Sequence, residues 1–292
     1  MRIHAAALAC SLLVASGASA LEPKQLPPKH IYSIGDSITR AFDAYLPADN
    51  LNLSWVNGRR SALADLFGLP DVDSHQQRIR ANFGAAGIRN RTAAKNGASV
   101  EQFVEQARGV RGDDTYVTVL LGGNDVCRDS VLDLPTDQEF AVDFANGLVE
   151  TLERLPAGAT VQVMAIPDVK RLYEIGLDKK ALGVVDCSLV WLTTELGFPC
   201  GSMLSPRNTA ADRAYVRQRN VGYNAIMQFL TALGALAYPD LFVSFSDLTF
   251  TYPFTQKHVS DIDCYHPSAR GQRLLAEGTW EEGFFRDHEK LD

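Results

Sequence analysis

Two stretches of this chain, far apart in sequence, hold side chains that can make and break acyl bonds together. Residues 31–40 read Ile-Tyr-Ser-Ile-Gly-Asp-Ser-Ile-Thr-Arg, and residues 263–266 read Asp-Cys-Tyr-His. A serine hydroxyl such as that of Ser37 is a weak nucleophile until a neighbouring base takes its proton. His266 is such a base. Asp263, three residues earlier, can hold the imidazole in one tautomer and stabilise the imidazolium formed during attack. The tetrahedral oxyanion then needs preorganised donors. The backbone N–H of Ser37 is one and the carboxamide of Asn124 a second. The backbone N–H of Gly97, where no side chain blocks approach, is a third. Asp36 and Asp125 stand beside these residues and are expected to brace their own loops. His75 and His258 have no evident partner and are expected to face solvent.

These groups need rigid elements to bring them together. The run His30 to Ile34 reads as a buried strand that delivers Ser37 to a turn at its end. Ser61 to Leu69 reads as a helix and Ile88 to Ala94 as a strand ending near Gly97. Ser99 to Val110 reads as a helix with Ser99 as its N-cap. Tyr116 to Leu121 is continuously apolar, as in a strand buried on both faces, and Gly122-Gly123-Asn124-Asp125 ends it. Thr136 and Glu139 form a capping box, after which Phe140, Phe144, Leu148 and Leu152 repeat along one helical face. Thr160 to Ile166 is a further buried strand, stopped by Pro167. Residues 168–210 are irregular. Ala211 to Leu236 is a long helix, Leu241 to Phe245 a last strand, and Ser268 to Glu277 a closing helix. Strands alternating with helices predict an α/β fold, a three-layer α/β/α sandwich around a mainly parallel sheet. In such sheets ligands bind outside the carboxyl ends of the strands, where Ser37, Asn124 and Asp168 all fall.

Together these blocks resemble the SGNH hydrolases of the GDSL esterase/lipase superfamily. Gly35-Asp36-Ser37 matches the nucleophile block, Gly122-Gly123-Asn124-Asp125 the asparagine block, and Asp263-Cys264-Tyr265-His266-Pro267 the last. In the glycine block Ala94-Lys95-Asn96-Gly97-Ala98 fits, although Thr92 stands where relatives often have Asn. Asn82-Phe83-Gly84-Ala85-Ala86-Gly87 is a competing match, and Gly97 is preferred because it follows a strand-like run and precedes a helix. The sequences Gly-Gly-Asn-Asp-Val-Cys and Asp-Cys-Tyr-His-Pro-Ser look most similar to the phospholipase-B-like branch. The resemblance spans about residues 30–277. It implies a flavodoxin-like sheet and a nucleophile Ser37, with His266 as base and Asp263 as its orienter. Gly97 and Asn124 would complete an oxyanion hole with the Ser37 amide. The expected reaction is hydrolysis of carboxylic esters, including phospholipid or lysophospholipid acyl esters, through an acyl-enzyme, with no cofactor and no metal. Acyl transfer to an alcohol uses the same residues, and a binding protein that keeps the fold is the remaining alternative. The Gly-x-Ser-x-Gly elbow of the α/β-hydrolases is absent. Within residues 168–210, Tyr173, Trp191 and Phe198, with Leu189 and Leu192, are the apolar candidates for substrate contact.

Length and composition bound the rest. The chain has 292 residues, 46% of them hydrophobic, and a net charge of −7. Arg2, the apolar stretch Ala5 to Ala15 and Ala18-Ser19-Ala20 read as a signal peptide over residues 1–20, cleaved after Ala20. The product would be secreted or periplasmic, with one domain over residues 21–292. No later run is long and apolar enough to span a membrane, and scattered Lys and Arg give no nucleic-acid footprint. Beyond the leader lie Cys127, Cys187, Cys200 and Cys264, an even set that suggests two disulfides in an exported protein. Cys187 and Cys200 bracket one short segment and are expected to pair locally. Cys127 and Cys264 flank the proposed site motifs and would pair where those motifs meet. No closely spaced Cys/His set suggests zinc.

Overall fold

The computed structural model describes residues 24–60, 66–68, 70–192 and 200–286. The leader, most of the Ser61 to Leu69 helix and Phe198 lie outside the described residues. Five strands form the main sheet: β1 (His30–Gly35), β2 (Arg89–Thr92), β3 (Tyr116–Leu120), β4 (Thr160–Met164) and β5 (Phe242–Ser246). Their order is β2-β1-β3-β4-β5 and every pairing is parallel.

The sheet is covered on both faces, and its central strands β3 and β4 are buried at every position, the polar Thr118, Thr160 and Gln162 included. Successive side chains point to opposite faces, so β3 divides between two cores. Val117 and Val119 join Phe103, Phe140, Phe144 and Leu148 on one side. Tyr116 and Leu120 join Leu53, Trp55, Ile79, Leu275 and Trp280 on the other. The first layer holds α2 (Phe103–Ala107), α3 (Asp137–Leu152), α4 (Val169–Leu177) and α5 (Ala210–Ala237). The second holds α1 (His75–Phe83) and α6 (Ala269–Glu281). The expected sandwich is therefore the observed fold.

Local chemistry explains the ends of the helices. Thr136 and Glu139 cap α3 reciprocally, with the Glu139 amide donating to Thr136 Oγ1 at 3.2 Å and the Thr136 amide to Glu139 Oε2 at 2.8 Å. The stretch expected as one helix from Ser99 is instead a 3-10 turn, Val100–Gln102, running into the short α2. It packs closely on α3, where a Cβ on Gly147 would lie 2.1 Å from the Phe103 ring. β2 is shorter than the strand expected over Ile88 to Ala94, and Arg89 and Thr92 are exposed at the sheet edge. Among the described residues no helix is long and apolar enough to cross a membrane.

His75 does not face solvent. It is fully buried under the sheet, with its ring nitrogens 2.7 Å from Tyr116 Oη and 2.9 Å from Thr279 Oγ1. Burial pushes it down to about 3. The disulfides are Cys127–Cys200 and Cys187–Cys264, not Cys187–Cys200 and Cys127–Cys264. The reason is how the irregular region docks. A hairpin of Lys180–Ala181 and Val185–Asp186 precedes Cys187, and its Leu182 amide donates to the Asp261 carbonyl at 2.7 Å, which brings Cys187 to Cys264. Cys200 opens a one-turn helix, Gly201–Leu204, held by the Ser202 amide on the Arg128 carbonyl at 2.8 Å and by Ser202 Oγ on the Val126 carbonyl at 2.7 Å. Each motif cysteine is thus tied to the segment between α4 and α5 rather than to the other motif.

Candidate active site

The strand order changes direction between β1 and β3, the place where doubly wound sheets leave a crevice. Gly35 and Leu120 are partners in register at the carboxyl ends of these strands. The Gly-Asp-Ser turn and the Gly-Gly-Asn-Asp turn therefore leave the sheet side by side. Gln106 holds the end of β1, accepting from the Gly35 amide at 2.9 Å and donating to the Gly35 carbonyl at 3.0 Å. Gly122 has φ 101°, and a Cβ there would lie 2.5 Å from Ile166 Cδ1, so only glycine fits.

The loop after β5 carries the third group to the same place. Asp263 Oδ1 accepts from the amides of Tyr265 at 2.9 Å and His266 at 3.1 Å, a local turn that aims the imidazole. Asp263 Oδ2 lies 2.5 Å from His266 Nδ1, and His266 Nε2 lies 2.8 Å from Ser37 Oγ. The ring is held between Phe42, at 5.2 Å between centroids, and the edge-on Tyr265, at 4.7 Å. Burial pushes the Asp263 carboxyl up. The His266 ring and the amides of Tyr265 and His266 outweigh it, so that the group lies below its ordinary value.

The oxyanion candidates lie close by. Asn124 Nδ2 donates to the Ala98 carbonyl at 2.8 Å, which fixes the carboxamide while leaving it a second N–H. Gly97 precedes Ala98 in a left-handed turn with φ 76° at the carboxyl end of the sheet. It does not line the cleft described below. The competing Gly84 and Gly87 precede β2 and so lie at the opposite, amino end. The two aspartates brace loops as expected. Asp36 Oδ1 accepts the Ile38 amide at 2.8 Å, and Asp125 Oδ2 accepts the Val100 amide at 3.0 Å while Oδ1 meets Arg128 at 3.1 Å. Burial pushes Asp36 up to about 7, against the pull of the Ile38 amide and His266. Burial likewise pushes Asp125 up to about 6.

A cleft open to solvent begins at Ser37, Asn124 and His266 and continues between Ile38, Pro167, Val169, Leu172, Ile175, Phe254 and Val259. Val169, Leu172 and Ile175 form one face of α4. The other face of α4 belongs to the core. Gly176 abuts Trp191, whose indole is buried with Nε1 3.4 Å from the Cys264 carbonyl. Tyr173 stacks on that indole at 5.7 Å and lies under the Arg213 guanidinium at 4.2 Å. Trp191 and Tyr173, expected as substrate contacts, therefore line no part of this cleft. Leu189 and Leu192 are exposed. The sequence signal that could have found the cleft wall is the i, i+3, i+6 spacing of Val169, Leu172 and Ile175. His258, expected in solvent, is half-buried at the cleft mouth against Tyr252 and Phe254.

A parallel α/β sandwich with a serine, a histidine and an aspartate in line at its switch point has the form of a serine hydrolase. The chain belongs to the GDSL-like lipase/acylhydrolase family, whose model matches residues 31–279. It is a carboxylic ester hydrolase of the esterase/lipase type. No curated protein sequence matches it. Solved structures similar to it include phospholipase A1 from Streptomyces albidoflavus, at 13% identity and TM-score 0.48, covering 87% of this chain and 98% of that one. An acetyl xylan esterase is similar at 12% identity and TM-score 0.48, covering 87% and 98%. An inhibitor-bound aryl esterase of M. smegmatis is similar at 13% identity and TM-score 0.47, covering 87% and 97%.

Proposed function

We propose that the chain hydrolyses esters of apolar acyl chains through a triad of Ser37, His266 and Asp263. His266 Nε2 takes the Ser37 proton as Oγ attacks the ester carbonyl. The oxyanion is met by the Ser37 and Gly97 amides and the free N–H of Asn124. Collapse of the tetrahedral intermediate breaks the bond to the alcohol, which leaves with the proton from His266. Water then enters, gives a proton to His266 and attacks the acyl-serine, and the second collapse returns that proton to Ser37 as the acid departs. Asp263 stabilises the imidazolium in both halves. The observation that carries this reading is the continuous chain from Asp263 through His266 to Ser37, at 2.5 and 2.8 Å.

The finer substrate rests on the cleft. Its walls beyond Ser37 are mostly apolar, which suits an acyl tail, and Asp168 and Arg171 are the charged residues along them. Burial of apolar surface favours such a tail by roughly 0.8 kcal/mol per methylene. Phospholipid or lysophospholipid esters are the class that the sequence resemblance suggests. Residues 1–20 read as the leader that exports the enzyme, and two disulfides accord with an oxidising compartment. Turnover of a p-nitrophenyl ester series, from acetate to long chains, by wild type and Ser37→Ala tests the proposal. Activity that disappears in the variant and peaks beyond acetate is expected. Equal activity in both proteins overturns the triad, and a maximum at acetate overturns the acyl reading.

A further inference from the structure

Asp43 belongs to none of the motif blocks, yet its carboxyl is buried beside them. An oxygen of Asp43, an oxygen of Asp263 and a ring nitrogen of His266 lie within 4.8 Å of one another. The three residues are only 8%, 4% and 7% exposed. Asp43 sits in left-handed backbone, with φ 52°, which a residue with a Cβ keeps only where its surroundings impose it. Those surroundings are specific. Its amide donates to the Ala48 carbonyl at 2.9 Å, and Ser260 Oγ donates to its carbonyl at 2.5 Å. Asn50 Nδ2 ties the loop by donating to the carbonyls of Leu46 at 2.8 Å and Ala48 at 2.7 Å. The Ser260 amide in turn donates to the His266 carbonyl at 2.7 Å. Loop 41–50 is thus sewn to the segment that carries His266, and it aims the Asp43 carboxyl at Asp263.

Buried carboxyls this close disfavour one another's charge, so one of them holds a proton more tightly than the other. The number of N–H donors decides which. Asp263 accepts three: the amides of Tyr265 and His266, and His266 Nδ1. Asp43 accepts one, the Ala48 amide at 2.7 Å. The ionisable groups that face Asp43 are Asp263 and His266. Burial acts on it first and pushes it up, the Ala48 amide pulls it down, and the Asp263 charge pushes it up again.

We infer that Asp43 is a positioning residue, a neutral carboxylic acid whose O–H donates to the Asp263 carboxylate and holds it in line with His266. The inference rests on the ester-hydrolase reading of Ser37, Asp263 and His266. The Asp43 donor takes up part of the Asp263 charge. Asp263 then grips the imidazolium less tightly, and His266 is available as a base at lower pH.

The test is the pH profile of kcat/KM on a p-nitrophenyl ester for wild type, Asp43→Ala and Asp43→Asn. Asparagine keeps both an acceptor for Ala48 and a neutral donor for Asp263. Asp43→Ala should lose about tenfold in kcat/KM and move its acid limb to higher pH. Asp43→Asn should recover most of the rate with the limb at the wild-type position. A charged Asp43 gives the opposite sign, since either substitution then removes a negative charge beside His266 and both limbs move to lower pH. That result overturns the inference, as does a rate loss in Asp43→Ala with no movement of the limb. Should Asp43→Ala not fold, the limb of Asp43→Asn still decides. Failure of the parent reading is separate, because it appears as undiminished turnover by Ser37→Ala.

Discussion

His266 Nε2 lies 2.8 Å from Ser37 Oγ although 229 residues separate them in the chain. The contact forms because β1 and the loop after β5 both open at the carboxyl edge of one sheet. Ser37→Ala should fold as wild type and lose roughly 10⁴- to 10⁶-fold in kcat, the scale seen when a triad member is removed. Asn124→Ala should lose roughly 10²- to 10³-fold in kcat, the usual effect of losing one oxyanion donor. Steady-state kinetics on one ester, with circular dichroism to verify folding, checks both. Near-full turnover by Asn124→Ala would remove Asn124 from the hole.

The division of α4 into a cleft face and a core face separates specificity from stability. Leu172→Trp or Ile175→Trp narrows the cleft, so the optimum in an ester series should move to shorter acyl chains while acetate turnover persists. Trp191→Ala should instead cost roughly 3–5 kcal/mol of stability, as loss of a buried large aromatic does, and leave the chain-length optimum in place. Comparing chain-length profiles with urea midpoints for these variants distinguishes the two faces. An optimum shifted by Trp191→Ala alone would contradict the division.

The disulfides tie the segment between α4 and α5 to both motif loops. Peptide mapping without reduction should recover Cys127 linked to Cys200 and Cys187 linked to Cys264. Replacing Cys187 and Cys264 together by Ser should cost roughly 2–4 kcal/mol. It should also lower kcat, because Cys264 lies between Asp263 and His266. Recovery of a Cys187–Cys200 peptide would refute this docking of that segment.

Burial of His75 makes stability depend on pH with a definite sign. The folded chain holds this ring neutral down to about 3, whereas its ordinary value is 6.5. Above 6.5 both states are neutral and the contribution of the buried ring is complete. As pH falls from 6.5 towards 3 the unfolded chain takes up a proton that the folded chain refuses, and stability is lost. His75→Gln should therefore be clearly less stable than wild type at pH 7, by roughly 1–3 kcal/mol, and the gap should narrow at pH 4.5. Urea unfolding at the two pH values measures it, and a gap that widens on acidification would contradict the neutral ring.

The sequence alone determined which residues meet in the site and on what kind of scaffold. Strand and helix periods are local, and so are the turns that end β1 and β3. The order of Gly-Asp-Ser, Gly-Gly-Asn-Asp and Asp-x-x-His at element ends therefore fixed a parallel sandwich with Ser37, Asn124, Asp263 and His266 at one edge. Placing Gly97 after β2 and Gly84 before it followed the same local logic. What lies over that edge is not local. The segments around Cys187 and Cys200 are positioned by docking contacts between distant loops, such as Leu182 on Asp261 and Ser202 on Arg128. The cysteine pairing consequently differed from the one that short separation suggested. The same docking turned Trp191 and Tyr173 into the core and gave the cleft to Leu172 and Ile175. His75 and Asp43 carry no motif, and their burial is decided only when separate segments close over them. Tertiary structure alone therefore decided the cleft wall, the disulfides and the second carboxyl behind Asp263, because each depends on contacts between segments that no spacing along the chain records.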